Sequence, residues 1–334
     1  MTVHRKTPST IAASAAVLLA LLASLVACGS GHSRDHGTPD GGPEPRPGRT
    51  SAPSGPQTVR LDRRIAEYAA PFSADSGYRQ PRPDDRRAIA EAVALVLDGR
   101  REQAAQRLSA VGYRLSTLVD ATTGHTYAEL SDRSTQVPAP RGWGRVYIDL
   151  SAPARWSVQV PHPVADLDTE RLGARVLLNS PGGVLVIAGA HRDAGRNGAA
   201  DVAHRRDTVF DAVCDELARR GLPGIQVHGF ADDSAPEHDV IASPGIGKAG
   251  RPDGRILADA LRDRGLRVCR AWVRSCPLEG TQNMQGRRAA DDHLPFLHVE
   301  FANSVRTDGR RAALAAAAVK TLTDGWAARS GGSG

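Results

Sequence analysis

The sequence predicts an α/β protein: a mostly parallel or mixed sheet covered by helices on both faces, with a small N-terminal helical and hairpin appendage. Three observations predict it. From Gly144 onward, short apolar strand-like runs alternate with runs of helical period, which is the signature of a sheet layered with helices. Histidines and carboxylates collect just past the ends of those strand-like runs, where ligands bind in open α/β sheets. Before residue 135 the pattern is instead a few short helices followed by two strands around a tight turn. The net charge of +6 over 334 residues is too small and too scattered to argue for nucleic acid.

The chain opens with the basic pair Arg5-Lys6 and an apolar run from Ile11 to Ala27. That is the layout of a targeting segment. It ends in Leu25-Val26-Ala27-Cys28, which resembles a bacterial lipobox, so residues 1–28 are expected to be a lipoprotein signal peptide with Cys28 lipidated. The rival is an uncleaved membrane anchor, for which the apolar run is short. Either way the remainder is expected outside the cytoplasm, held at the extracytoplasmic face of the cell membrane. Residues 29–56 are Gly, Pro, Ser and charges, and are expected to form a disordered tether.

Residues 57–135 are expected to form the appendage. Leu61, Ile65 and Tyr68 have helical spacing, and Asp84-Asp85 precede an apolar stripe of Ile89, Val93, Val96 and Leu97. Arg101 to Val111 reads as a third helix. Tyr113–Asp120 and His125–Ser131 flank Ala-Thr-Thr-Gly as a hairpin. Residues 136–334 are expected to be the main domain. Its strands are read at 145–150, 156–160, 184–187, 225–227, 267–273 and 296–301, and its helices at 170–178, 207–220, 253–264, 283–290 and 308–326. Cys269 and Cys276 lie close enough in sequence to be bridged in an exported chain. Cys214, among Phe210, Val213 and Leu217, reads as a buried free thiol. No CxxC pair suggests a cysteine metal site.

The candidate chemistry gathers at the strand ends. Strand 156–160 runs into His162, followed by Asp166, Asp168 and Glu170. Strand 184–187 leads to His191-Arg192-Asp193, strand 225–227 to His228, and strand 296–301 carries His298 and Glu300 on one face. Imidazole plus carboxylate is a favoured zinc ligand set. Glu170 opens a helix and so sits on a rigid element, which makes it the expected third ligand, with Asp166 as the reserve. Asp168 is read as an N-terminal cap or a group supporting the ligands. A carboxylate inside Phe-Leu-His-Val-Glu-Phe is costly to bury without a partner, which singles out Glu300. His204, in a basic turn, is a further candidate.

The order of His162, Glu170, His228 and then Glu300 in Leu-His-Val-Glu-Phe-Ala-Asn resembles the zinc-dependent N-acetylmuramoyl-L-alanine amidases, over roughly residues 145–326. Zinc carboxypeptidases and N-formylglutamate amidohydrolases share the broader architecture. The resemblance implies Zn²⁺ held by His162, Glu170 and His228, with Glu300 as the catalytic carboxylate. It leaves Asp166, Asp168 and His298 to orient the ligands, and His191, Arg192, His204 and Arg306 to meet an anionic part of a substrate. The implied substrate is a small peptide or peptidoglycan-like amide. Two features depart from the amidase pattern: Pro161-His162-Pro163 replaces a glycine-rich turn, and the spacing from His162 to Glu170 is shorter. A non-catalytic lipoprotein that binds a metal or ligand on the same scaffold is the alternative. A serine hydrolase is disfavoured, since no Gly-x-Ser-x-Gly is present.

Overall fold

The protein is described by a computed structural model that covers residues 55–134, 136 and 139–329. The expected signal peptide, Cys28 and the tether up to residue 54 lie outside the described residues. Among those described, no helix is long and apolar enough to cross a membrane.

The chain begins with β1 (Gln57–Val59), α1 (Leu61–Ala69), α2 (Pro83–Leu97) and α3 (Arg101–Ser109). β2 (Tyr113–Asp120), β3 (Thr126–Asp132) and β4 (Arg145–Asp149) follow. The alternating part comprises β5 (Trp156–Val160), α4 (Thr169–Asn179), β6 (Gly183–Ile187), α5 (Val209–Arg219), β7 (Gly224–Phe230), β8 (Val240–Ser243), α6 (Arg251–Arg262) and β9 (Val268–Arg270). The end is α7 (Met284–Asp291), β10 (Phe296–Ala302), α8 (Asn303–Thr307) and α9 (Gly309–Arg329).

All strands join one mixed ten-stranded sheet in the order β1-β2-β3-β4-β6-β5-β7-β10-β8-β9. Its centre is parallel: β6, β5, β7 and β10 run the same way. The expected appendage therefore continues the sheet, because β3 pairs antiparallel with β4 and β4 antiparallel with β6. Strand β8, antiparallel to β10, replaces part of what reads in sequence as a long loop. The expected strand 267–273 stops at Arg270, and Cys269 is bonded to Cys276 in the turn that follows. Cys214 is a buried free thiol.

Alternation along each strand feeds two cores. Val158, Val160, Leu185, Ile187, Ile225, Val227, Leu297, Val299 and Phe301 pack on one face against α1, α4, α6 and α9. Val146, Ile148, Val184 and Val186 point the other way, against α2, α3 and α5. On that second face the parallel centre changes character. Cross-strand partners share a face, and the pairs Val186–Gln159, Gln159–Gln226, Gln226–His298 and His228–Glu300 carry polar side chains across β5, β7 and β10. The site stands at the carboxyl end of this polar strip.

Candidate metal centre

His162 stands two residues beyond the end of β5, and the chain then coils back on itself. Asp166 N–H donates to the His162 carbonyl at 2.9 Å, so the side chains of residues 162 and 166 sit one turn apart. Two non-glycine residues with positive φ, Val164 at 68° and Asp168 at 64°, make that tight loop. A β-branched residue there is strained backbone, held by its surroundings. The result places Asp166 Oδ2 3.3 Å from His162 Nδ1 and 3.2 Å from His228 Nδ1, the latter at the end of β7. One donor atom from each of these three side chains lies within 4.8 Å of the others.

The structure thus brings Asp166, not Glu170, between the histidines. Glu170 does open α4 as expected, but its carboxylate faces the Val164 backbone N–H at 3.4 Å. The two acids also differ electrostatically. Burial pushes the Glu170 carboxyl above its ordinary value, toward the neutral form. Burial works in the same direction on Asp166, yet its bonds to His162 and His228 outweigh it and hold that carboxyl well below the usual range. The helix start that marked Glu170 in sequence is a real feature, but four-residue spacing within the loop delivers the nearer acid.

Both histidines turn Nδ1 toward Asp166 and have an acceptor at the opposite nitrogen. His162 Nε2 meets Asp201 Oδ1 at 2.8 Å, and His228 Nε2 meets Gln226 Oε1 at 2.9 Å. Each ring thus faces an acceptor at both nitrogens, and an ion seated between the two Nδ1 atoms and Asp166 would take the place of a proton there while Nε2–H stays bonded to its own acceptor. Burial, with His298 beside it, pushes the His228 imidazole down to about 4, so it is neutral near pH 7. Burial acts likewise on His162, but Asp166 and Asp201 more than offset it and raise that ring.

Glu300 lies across from His228 in the β10–β7 ladder and is buried. His298 Nε2 contacts its Oε1 at 3.2 Å, while Oε2 has no hydrogen-bond partner among the described residues. A buried carboxylate oxygen without a partner is costly and marks a place where a ligand group belongs. The donor set therefore fits zinc: two imidazoles each held at the nitrogen away from the site, one carboxylate, and a second carboxylate left open beside them.

The remaining candidates take different places. Arg192 donates to Asp201 Oδ2 at 2.7 Å and stands 3.4 Å from His162 Nδ1, at the rim of the site. His204 Nδ1 pairs with Asp201 Oδ2 at 3.0 Å. Asp201 thus supports His162 and gathers Arg192 and His204 around it, a role its sequence context did not reveal. Residues 162, 201 and 204 are themselves close enough to hold an ion, but the Arg192 guanidinium already answers the Asp201 carboxylate. His191 contacts the Asp193 N–H within its own loop at 3.2 Å. Asp168 pairs with Arg171 at 2.9 Å.

Arg306 is not an exposed anion clamp. It is buried, and its guanidinium donates to the carbonyls of Phe301 at 2.9 Å, Phe230 at 3.0 Å and Leu167. It buckles the ends of β10 and β7 to the loop carrying Asp166. Gly229 is required for this, because a Cβ there would stand 2.3 Å from the guanidinium carbon.

No family model matches the chain, and no curated protein matches it. Among solved structures, an N-formylglutamate amidohydrolase from Ralstonia eutropha is similar at 14% identity and a TM-score of 0.35, over 53% of this chain and 95% of its own. A metallo-carboxypeptidase from Pseudomonas aeruginosa matches at 15% identity and a TM-score of 0.34, over 70% of this chain and 68% of its own. An N-acetylmuramyl-L-alanine amidase from Mycobacterium abscessus matches at 12% identity and a TM-score of 0.32, over 52% and 98%. These are the groups that the order of histidines and acids resembled. At such scores the overlaps assign neither membership nor activity, and the functional reading rests on the site itself.

Proposed function

We propose that the protein is an exported, lipid-anchored hydrolase of an amide or peptide bond that uses one zinc ion. The observation that carries this is the buried triangle of His162, Asp166 and His228 beside a carboxylate oxygen, Glu300 Oε2, that has no partner among the described residues. Zinc held by those three residues would supply Lewis acidity toward a scissile carbonyl. Glu300 is the chain's own proton carrier: it accepts a proton from water and returns it to the departing amine. His298 fixes its orientation through Oε1. Arg192 and His204, paired with Asp201 and part-exposed at the rim, are the groups that would meet an anionic part of a substrate, such as a peptide or acyl amino acid carboxylate. Lipidation of Cys28 would place this chemistry at the extracytoplasmic face of the membrane, within reach of cell-wall amides.

The deciding experiment is zinc per chain, measured by plasma mass spectrometry on protein purified without chelator, for wild type, His228→Ala, Asp166→Ala and Glu170→Gln. One zinc in wild type and Glu170→Gln, and none in the other two, is the expected result. A folded wild-type chain that takes up no zinc on reconstitution would overturn the reading.

A further inference from the structure

Beneath the metal centre lies a buried chain of side-chain amides, and its direction can be read from one end to the other. It starts at the backbone. Gln285 Nε2 donates to the Val202 carbonyl at 3.1 Å and to Asp211 Oδ1 at 2.7 Å. The carbonyl can only accept, so the Gln285 amide has one orientation, and its Oε1 faces Gln226. Gln226 must then present Nε2, which donates to Gln285 Oε1 at 3.0 Å and to Gln159 Oε1 at 3.2 Å. Its own Oε1 is left facing His228 Nε2 at 2.9 Å, and that nitrogen must carry the proton.

The same Gln226 oxygen accepts from Asn283 Nδ2. The second Asn283 proton is directed at His298 Nδ1, 3.1 Å away. His298 Nδ1 is therefore an acceptor, its proton sits on Nε2, and it is donated to Glu300 Oε1 at 3.2 Å. The 3.3 Å approach of Asn283 Nδ2 to His228 Nε2 brings two donors together because both share the Gln226 oxygen, and it is not a bond. Gly280 permits the stack: a Cβ at that position would stand 2.3 Å from the His298 ring. Inverting any one amide would set acceptor against acceptor, or donor against donor, in a dry interior. Each such fault would leave a buried polar atom without a partner.

We propose that Gln285, Gln226 and Asn283 are positioning residues that together set the tautomers of His228 and His298. One end of the chain holds a proton on His228 Nε2, so that Nδ1 is the nitrogen the metal would take. The other end supplies the proton that orients Glu300. The inference deepens the hydrolase reading and rests on it for its purpose, but the tautomers can be measured without metal or substrate.

The test is a long-range ¹H–¹⁵N spectrum of the histidine rings in the uniformly labelled, metal-free full chain. His298 is expected to show a protonated Nε2 and an unprotonated Nδ1, and His228 a protonated Nε2, its Nδ1 facing Asp166. Asn283→Asp replaces the donor facing His298 by an acceptor, so His298 should gain a proton at Nδ1 while His228 keeps its state. Gln285→Met frees the Gln226 amide to turn, so His228 should populate both tautomers, and zinc affinity should fall about 10- to 100-fold. A wild-type His228 without a proton at Nε2, or a wild-type His298 protonated at Nδ1, overturns the proposal, whether or not the variants fold. So does an unchanged His298 spectrum in a folded Asn283→Asp. Expected tautomers in a chain that binds no zinc would leave the amide chain standing and remove the hydrolase reading.

Discussion

One row of side chains crosses the α5 face of the sheet and changes character halfway. Leu130, Val146 and Val186 fill it under α2, α3 and α5; their neighbours in the same row are Gln159, Gln226, His298 and Ser243. Both halves are buried. The apolar half is held by burial that asks only for volume and shape. The polar half must find a partner for every donor and acceptor, and it does so by tying each amide to the next. What the second half gives up in transfer free energy it returns as fixed orientation, since a satisfied amide chain has a single direction. Burial alone therefore does not distinguish a core from a site; the distinction is whether the buried atoms specify directions. Glu300 Oε2, on the same face of β10, has no hydrogen-bond partner among the described residues, and there the order of the strip ends.

The largest expected effect breaks the polar half at its open end. Glu300→Gln should lower turnover of a peptide or acyl amino acid amide by about 100- to 10,000-fold while zinc content stays at the wild-type value. Its folding stability should be equal to or above wild type, because a buried charge has been removed. Loss of zinc in a folded Glu300→Gln would count against the role assigned to this carboxylate. Next comes Leu130→Ala in the apolar half, expected to cost about 2–5 kcal/mol in urea unfolding with no change in zinc per chain. The two substitutions should thus separate stability from chemistry. If Leu130→Ala released zinc from the folded state, the halves would not be independent.

The halves also differ in how far the sequence exposes them. Short apolar runs bounded by turns marked β3, β4 and β6, and helical spacing marked the helices over them, since apolar burial is written as period and composition. That His162, His228 and Glu300 lie near one another was legible because each stands at or near the carboxyl end of an apolar strand. Helix-start logic pointed to Glu170 with Asp166 in reserve, whereas the acid that stands between the histidines is placed by a loop with positive φ at Val164 and Asp168, which residue type does not announce. Arg306 was read as a ligand clamp because its three carbonyl partners lie at Leu167, Phe230 and Phe301, on separate segments. Gln226 carried a weak signal, an amide at the inward position two residues before His228. Asn283 and Gln285 carried none: they meet Gln226 only through the packing of α7 over the sheet, and amides are common at helix starts for unrelated reasons. Asp201 was visible only as part of a basic turn.

Asp211 sits at the boundary between the halves, on α5 and bonded to Gln285, and it offers the finest probe of the contrast. Burial, with Asp215 nearby, pushes its carboxyl up to about 7, although the Gln285 bond opposes this. In the unfolded chain the same group titrates near its ordinary value of about 4. Between those two values the folded state binds more protons than the unfolded state, so its contribution makes stability fall as pH rises from about 4 to about 7. Asp211→Asn keeps an amide oxygen for Gln285 and removes the titration. Urea midpoints at pH 5 and pH 8 should therefore drop less in the variant than in wild type, by roughly 1–3 kcal/mol in the difference. Equal drops in the two proteins would mean that this carboxyl is ionised throughout, and that the boundary between the apolar and polar halves is wetter than its burial implies.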